Sequence, residues 1–260
     1  MIFRQLFSSL REPEFWAYSS WLDIVTKYRR SRLGLLWLLI PPIIYIFGVG
    51  YYFAKLQGVS PLGFIPHMGV GYLLFRFLMT TIMESASILP GNASFILDGH
   101  VRLTDFVMRV LAKGLFYLIV SLPILVVVLV LAPQLEPLGL LTMVPAMILL
   151  VTNALWMGII VSLLGARFPD INELMSSLFI FGFILTPILW TAAAAPVGTA
   201  HGMFMRANPF FHMIEIVRAP LLGEPIEPFT YAFMAVLTVA GWALTAFVYK
   251  RYARFVPLWV

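Results

Sequence analysis

Six apolar stretches, separated by short polar segments, dominate the pattern of this chain. They cover residues 33–54, 64–83, 110–131, 138–164, 174–190 and 229–249. A helix needs roughly 20 apolar residues to cross the ~30 Å hydrocarbon core of a bilayer, and the stretches are of comparable length. Because lipid offers no hydrogen-bond partners to an open backbone, such spans must be helical. The pattern therefore predicts an all-α integral membrane protein with six transmembrane helices.

The composition agrees with a membrane protein and narrows the chemistry. Hydrophobic residues make up 61% of the chain and charged residues 11%, whereas a soluble domain carries about 25% charged residues. The absence of cysteine excludes disulfides and thiolate metal sites. The four histidines are scattered without metal-ligand spacing. We therefore expect no metal or cofactor on this chain, and we read the net charge of +5 as a matter of topology rather than of nucleic-acid binding.

The basic residues predict the orientation of the spans. With six spans and both ends on the cytoplasmic side, nearly all of the 17 Lys and Arg fall in cytoplasmic segments. The exceptions are Lys55, Arg206 and Arg218 in outer loops and Arg76 within a span. Cytoplasmic loops of membrane proteins are enriched in Lys and Arg. The distribution thus places both termini in the cytoplasm.

Residues 13–32, before the first span, have the pattern of an amphipathic helix. One half of the helical wheel is apolar and aromatic, and the other half is polar. The apolar half holds Phe15, Ala17, Tyr18, Trp21, Leu22, Ile24, Val25 and Tyr28. Helices of this type lie in the membrane interface. The segment is either an aromatic anchor for the first span or, in addition, a lever between the membrane and a cytoplasmic partner.

The chain lacks the residues that a motor of its own would need. None of its four lysines follows a glycine, so the Gly-Lys-Ser/Thr core of a phosphate-binding loop is absent. Ion-coupled transporters usually place carboxylates near the middle of the membrane. Here the apolar stretches hold few ionisable residues, with Arg76 at a central position and Glu84 at the end of a span, and no carboxylate lies within them. A nucleotide-hydrolysing enzyme and an ion-coupled secondary transporter are both disfavoured.

Four segments, in this order, resemble one known family. They are Lys27–Trp37 at the start of the first span, Gly165–Ile171 between the fourth and fifth spans, Asn208–Arg218 before the last span, and the basic tail Tyr249–Arg254. Together they resemble the membrane subunits, or permeases, of bacterial ABC exporters for O-antigen, capsule and teichoic acid. The resemblance covers the whole chain. The inner loop departs slightly at Pro169, where the family usually has a second basic or aromatic residue before the Asp.

The resemblance implies partners and a location. It implies a homodimeric pore in the bacterial inner membrane, paired with two nucleotide-binding ATPase subunits that hold ATP and Mg. The substrate would be a lipid-linked polysaccharide. The segment from Asn92 to Asp105 would rest on the ATPase, with Asn92, Asp98, His100, Arg102 and Asp105 as coupling residues, unless it is a plain loop. The alternatives are a lipid or drug exporter of the same fold, an ion-coupled secondary transporter, or a membrane transferase.

The first span offers a candidate pore lining. Aromatic rings suit the C–H faces of sugars, and five residues fall on one helical face: Trp37, Pro41, Tyr45, Gly48 and Tyr52. The alternative is that Trp37 and Tyr52 mark the two membrane interfaces.

Arginines supply the candidate anion sites. Arg29, Arg30 and Arg32 lie where a lipid diphosphate head group would reach the pore, although the same residues also satisfy the positive-inside rule. Arg76 is unfavourable at the membrane centre by at least ~2.5 kcal/mol unless it meets water or a partner. It should face the pore or the dimer interface and pair with Glu84 or with a sugar acid.

The outer segment before the last span predicts short helices that dip partway into the membrane. Asn208 and Pro209 open an apolar run in which Glu215 and Arg218 can pair at i, i+3. These four residues form a candidate outer gate or a structural plug.

Overall fold

The computed structural model describes residues 2–133 and 135–260 of the chain. Within them every regular element is helical, which confirms the all-α prediction. The α-helices are α1 Ile2–Arg11, α2 Glu14–Tyr28, α3 Ile40–Ile43, α4 Gly50–Leu56, α5 Pro61–Ile88, α6 Ala93–Leu97, α7 Leu103–Val120, α8 Leu122–Val130, α9 Pro137–Arg167, α10 Ile171–Leu185, α11 Ala200–Ala207, α12 Pro209–Leu221 and α13 Pro228–Tyr252.

Four helical segments are long and apolar enough to cross a membrane. They are Gly34–Leu56, α5, α9 and Pro228–Leu258, the last of which includes α13. A fifth results if α7 and α8, which meet at 42°, form one bent span. The predicted sixth, α10, is apolar but has only 15 residues. Four to five candidate spans therefore support an integral membrane protein, and the count of six stays a prediction.

α10 is short because of the proline that follows it. We expected a span up to residue 190, but the helix ends at Leu185 and Thr186 is extended, with ψ at 132°. Pro187 disfavours helical backbone at the residue before it. The helix therefore ends at this proline instead of continuing to residue 190.

The first span is helical but irregular. It begins with the 3₁₀ turn Gly34–Leu38, continues through α3, and passes through the π-helical segment Ile44–Val49 before α4. Pro41 and Pro42 explain part of this, since they have no N–H to donate to the preceding turn. One face is nevertheless buried at a regular spacing of four, at Leu38, Pro42, Ile46, Gly50 and Ala54, and its part from Ile44 to Leu56 packs against α5.

α5 and α9 form the centre of the bundle. α5 also packs against α4, α7, α10 and α12, and 72% of its most apolar window is buried. α9 approaches it closely at Gly165, where a Cβ atom would lie 1.9 Å from the carbonyl oxygen of Ala86. Small residues allow such close packing between membrane helices.

The N-terminal region contains more structure than the pattern predicted. α1 was not anticipated, and α2 ends at Tyr28, four residues before the predicted boundary. α2 packs on α7 with Ser20 and Ile24 buried, while Tyr18 and Trp21 project outward. The exposed aromatic side belongs to the half of the wheel that we expected to meet lipid.

Both chain ends lie at the same end of the bundle. The rings of Phe3 in α1 and Trp242 in α13 are 5.6 Å apart, and the Tyr249 hydroxyl is hydrogen-bonded to the Gln5 side chain. We call this the terminal end. α11 and α12 lie at the opposite end, where His67 in the second turn of α5 meets Glu224 after α12.

Candidate functional site

The predicted aromatic face of the first span is exposed along its whole length. Trp37, Pro41, Tyr45, Gly48 and Tyr52 are all exposed. The π-helical segment shifts the spacing, yet the five residues remain uncovered. The prediction that they line a pore stays a prediction, because the exposed face is equally open to lipid.

Tyr45 forms one wall of a groove between the first span, α5 and α10. Its ring stacks on that of Tyr72, with centroids 4.9 Å apart and planes 11° from parallel. The groove has a volume of about 490 Å³ and is lined largely by apolar side chains from α5 and α10. We call it the Arg76 groove and define it by Tyr45, Tyr72, Arg76, Ser176 and Phe179.

Arg76 is half-buried in the wall of this groove. Its Nη1 donates to the carbonyl oxygen of Leu38 at 3.1 Å. Glu84, the partner that the sequence offered, forms an ion pair with Lys113 of α7 instead. The expected Arg76–Glu84 pair is therefore wrong, whereas the position of Arg76 on a groove fits the expectation that it faces an open surface.

Arg29, Arg30 and Arg32 lie between α2 and the first span, and all three are exposed. Their position leaves them open to a head group, and this role stays a prediction.

The predicted coupling segment divides into an exposed part and a buried part. Asn92 closes a short 3₁₀ turn before α6, and Asp98 and His100 are exposed in the turn after it. Arg102, by contrast, is half-buried and bonds both Asp105, at 3.0 Å, and Glu12, at 2.6 Å.

Asp105 lies outside the coupling loop. α7 begins at Leu103, seven residues before the predicted start of that span, so Asp105 occupies its first turn and is 2% exposed. A carboxylate in the first turn of a helix is favoured by the helix dipole. Asp105 is therefore held inside the bundle, where Arg102 bonds it, and its role in coupling stays a prediction.

Arg109 joins three elements near the terminal end. Its Nε and Nη2 donate to the two carboxylate oxygens of Asp23 in α2, at 2.8 and 2.6 Å. Its Nη1 donates to Oδ1 of Asn92 at 3.1 Å. One side chain of α7 thereby holds both the predicted interface helix and the start of the α6 segment.

At the opposite end, Asn208 and Pro209 of the candidate outer gate form the start of α12. Asn208 caps α12 by accepting a hydrogen bond from the Phe210 amide at 3.0 Å, and it donates to Oγ1 of Thr186 at 2.8 Å. Pro209 occupies the first position of the helix, where its missing N–H is not needed. Short helices before the last span are confirmed. Whether they enter the membrane stays a prediction.

The predicted pair of Glu215 and Arg218 is confirmed and extends into a network. Arg218, 1% exposed, donates to Glu215 at 2.5 Å and to the Pro187 carbonyl at 2.6 Å. Its Nε lies 3.8 Å from Glu224, whose other carboxylate oxygen bonds Nδ1 of His67 at 3.0 Å. This outer network ties α5, α12 and the end of α10 together.

The charges of the network hold Glu224 ionised. Burial alone would raise the pKa of the Glu224 carboxyl, but the hydrogen bond from His67 and the charge of Arg218 outweigh it and lower the pKa below its usual value.

The residues that partner these sites could not be recognised from the sequence. Asp23 and Arg109 are 86 positions apart, and His67 and Glu224 are 157 apart. Only local pairs such as Glu215 and Arg218 follow from helical spacing. Across the described parts of the chain, no cluster of His, Cys, Asp or Glu could hold a metal ion.

Comparison with known proteins assigns the family. Residues 15–222 match the ABC-2 type transporter membrane family. The chain is 23% identical over 237 residues to the O-antigen export system permease protein RfbA of Myxococcus xanthus, covering 90% of each chain. It is 19% identical over 210 residues to the capsule polysaccharide export inner-membrane protein CtrC of Neisseria meningitidis serogroup A, covering 80% of this chain and 78% of that protein. The polysialic acid transport protein KpsM of Escherichia coli is 20% identical over 222 residues, covering 84% of this chain and 85% of KpsM. Since the family match extends over well more than half of the sequence, this chain belongs to the ABC-2 type transporter family of membrane proteins.

Proposed function

We propose that this chain is the permease subunit of an ATP-driven exporter that moves polysaccharide out across the inner membrane. Relatives named as a capsule polysaccharide export inner-membrane protein and an O-antigen export permease, which align with 80% and 90% of this chain, support this assignment. The observation that carries it is the Arg76 groove, an aromatic surface with one guanidinium on an uncovered side of the bundle. A long, hydroxyl-rich chain needs a path of this kind, which offers flat apolar faces and few fixed polar contacts.

The functional unit in this proposal is a homodimer. The aromatic face of the first span and the outer side of α10, where Ile180 and Ile184 are exposed, flank the groove. Two copies that meet along these elements would enclose two grooves in one path. Each copy would cross the membrane six times, with α10 as the short fifth span, and both termini would lie in the cytoplasm. The positive-inside distribution supports this orientation.

ATP hydrolysis belongs to a partner in this proposal. Two nucleotide-binding ATPase subunits would hold ATP and Mg and press on the α6 segment, where Asp98 and His100 are exposed. Arg29, Arg30 and Arg32 would meet the phosphates of a lipid-linked substrate. At the opposite end, Asn208, Pro209, Glu215 and Arg218 would hold the outer helices as a gate or a seal.

Transport by inverted vesicles tests the function. Vesicles from cells that express this chain together with a nucleotide-binding ATPase subunit of the same exporter class should take up labelled polysaccharide only with hydrolysable ATP. Uptake of a fluorescent phospholipid or a drug in place of the polymer would instead identify the lipid or drug exporter. Uptake that persists without ATP and stops when the ion gradients are dissipated would identify a secondary transporter and overturn the proposal.

A further inference from the structure

Arg76 carries a charge for which the described part of the chain provides no acidic partner. Glu84 of α5 pairs with Lys113, and Asp23 of α2 pairs with Arg109. Arg76 lies near the middle of α5, the most buried of the candidate spans. A cation at such a position is unfavourable unless water or an anion reaches it.

Arg76 makes one hydrogen bond to the described part of the chain, and this bond has a local explanation that leaves most of its donors unused. The Leu38 carbonyl would accept from the amide of residue 41 or 42 in a regular helix, but both residues are proline and have none. Nη1 of Arg76 replaces that donor at 3.1 Å. An arginine has five N–H donors, and within residues 2–133 and 135–260 the Nε and Nη2 groups make no hydrogen bond. They are available to a ligand in the groove.

The groove around these donors has the size and the walls of a ligand site. Its volume of about 490 Å³ falls within the roughly 300–1,000 Å³ of small-molecule sites. The stacked rings of Tyr45 and Tyr72 form one side, and Phe179 and Ile180 of α10 belong to the other. A planar guanidinium beside aromatic faces suits a ligand that combines an anionic group with sugar rings.

We infer that the Arg76 groove binds an anionic group of the exported molecule, with Arg76 holding a carboxylate or phosphate while Tyr45 and Tyr72 face its sugar rings. The inference rests on the proposed function and narrows its substrate to an acidic one. A carboxylate would come from acidic sugars in the polymer, whereas a phosphate would come from the lipid anchor. Arg76 contacts the ligand in either case, and the groove's low polarity strengthens the attraction.

Two substitutions separate the charge of Arg76 from its contact with Leu38. Arg76→Gln removes the charge but keeps an N–H donor for the Leu38 carbonyl. Arg76→Lys keeps the charge but loses the planar, two-pronged donor set. Arg4→Gln is the matched control, because Arg4 is exposed on α1, away from the groove, and the substitution removes the same charge.

The experiment measures binding of three probes to the complex of this chain with its ATPase in lipid nanodiscs. The probes are an oligosaccharide that contains glucuronic acid, the same oligosaccharide with its carboxyl groups reduced, and undecaprenyl phosphate. We expect Arg76→Gln to weaken binding of an anionic probe at least about tenfold, Arg76→Lys to weaken it less, and Arg4→Gln to leave it unchanged. The reduced oligosaccharide should bind all four proteins equally.

The identity of the affected probe assigns the source of the anion. If Arg76→Gln weakens binding of the glucuronic acid oligosaccharide alone, the anion that Arg76 binds belongs to the polymer. If the substitution weakens binding of undecaprenyl phosphate alone, the anion belongs to the lipid anchor. Equal affinity of wild type and Arg76→Gln for both anionic probes would overturn the inference. The role of Arg76 would then be limited to its hydrogen bond with the Leu38 carbonyl. If Arg76→Gln does not assemble, Arg76→Lys replaces it: weaker binding of an anionic probe by Arg76→Lys than by wild type supports the inference, and equal binding overturns it.

Failure of this inference differs from failure of the proposed function. If wild type exports polysaccharide with ATP but Arg76→Gln binds the anionic probes as tightly, the function stands and the anion site does not. If wild type shows no ATP-dependent polysaccharide uptake, the function itself fails.

Discussion

The guanidinium of Arg109 and the carboxylate of Asp23 form a two-pronged ion pair, with distances of 2.8 and 2.6 Å, between α7 and α2. Paired N–H donors of this type fix orientation as well as distance. The third arm of Arg109 bonds Asn92 ahead of α6. A force applied to α6 from outside the bundle would therefore reach α2 through this one side chain, which supports the lever interpretation of the N-terminal helix.

Breaking this pair should weaken the link between ATP hydrolysis and export. Arg109→Gln and Asp23→Asn each remove a charge-assisted contact worth about 1.5–3 kcal/mol. We expect several-fold less polymer exported per ATP hydrolysed by the assembled complex. The double variant Asp23→Arg/Arg109→Asp should recover part of the ratio, because it rebuilds an ion pair with reversed polarity. An unchanged ratio in both single variants would refute the transmitting role.

Arg218 is the member of the outer network whose loss should be most harmful. Arg218→Met removes the partner of buried Glu215 and the donor to the Pro187 carbonyl. Leaving a buried charge unpaired costs about 3–5 kcal/mol. We expect a clear drop in the apparent melting temperature in detergent. Lys55→Gln, at an exposed position near the same end, is the control and should melt like wild type.

The apolar pattern predicted helices correctly where the length of an apolar stretch was enough to define the helix. α5, α9 and α13 contain their predicted spans, and Asn208 and Pro209 open α12 as their residue types suggest. Boundaries failed where a specific local effect decided them. Pro187 ends α10 early, and α7 begins at Leu103 because its first turn, although polar, is buried against α1.

Contacts between residues far apart in the chain could not be predicted from the sequence, because the hydropathy pattern does not show which charged side chains form ion pairs. Arg76 and Glu84 lie on one helix, and their spacing suggested a pair, yet Lys113 from a neighbouring helix takes the carboxylate. The exposed aromatic face of the first span was predictable, since it follows from helical spacing. The stacking of Tyr45 on Tyr72 was not, because it depends on how two helices pack.

The ion pair of Arg206 with Glu227 should make the outer segment sensitive to acid. The hydrogen bond from Arg206 lowers the pKa of the Glu227 carboxyl below its usual value, against a smaller opposing effect of burial. Because the pKa is lower in the folded than in the unfolded state, ionised Glu227 stabilises the folded protein at pH values above the ordinary glutamate pKa. This stabilisation is lost as the pH falls through the lowered pKa of the folded state.

Melting temperatures measured from neutral pH down to below the ordinary glutamate pKa should show the contribution of the Arg206–Glu227 pair to stability. The difference between wild type and Glu227→Gln should be largest near neutral pH and shrink as the pH falls. Glu173→Gln, which changes an exposed glutamate on α10, should show no such trend. A constant difference between wild type and Glu227→Gln at every pH would contradict the assignment.

The close approach of α9 to α5 should tolerate no side chain larger than hydrogen at Gly165. A Cβ atom there would lie 1.9 Å from the Ala86 carbonyl oxygen and 2.7 Å from its carbon, and both atoms belong to the backbone of the central helix. Gly165→Ala must separate the two helices and should destabilise the protein by about 1–3 kcal/mol, seen as a lower melting temperature. Gly63→Ala has open space around its Cβ and should be neutral or slightly stabilising, since alanine favours helix. Equal melting temperatures for the two variants would contradict the close contact between α5 and α9 at Gly165.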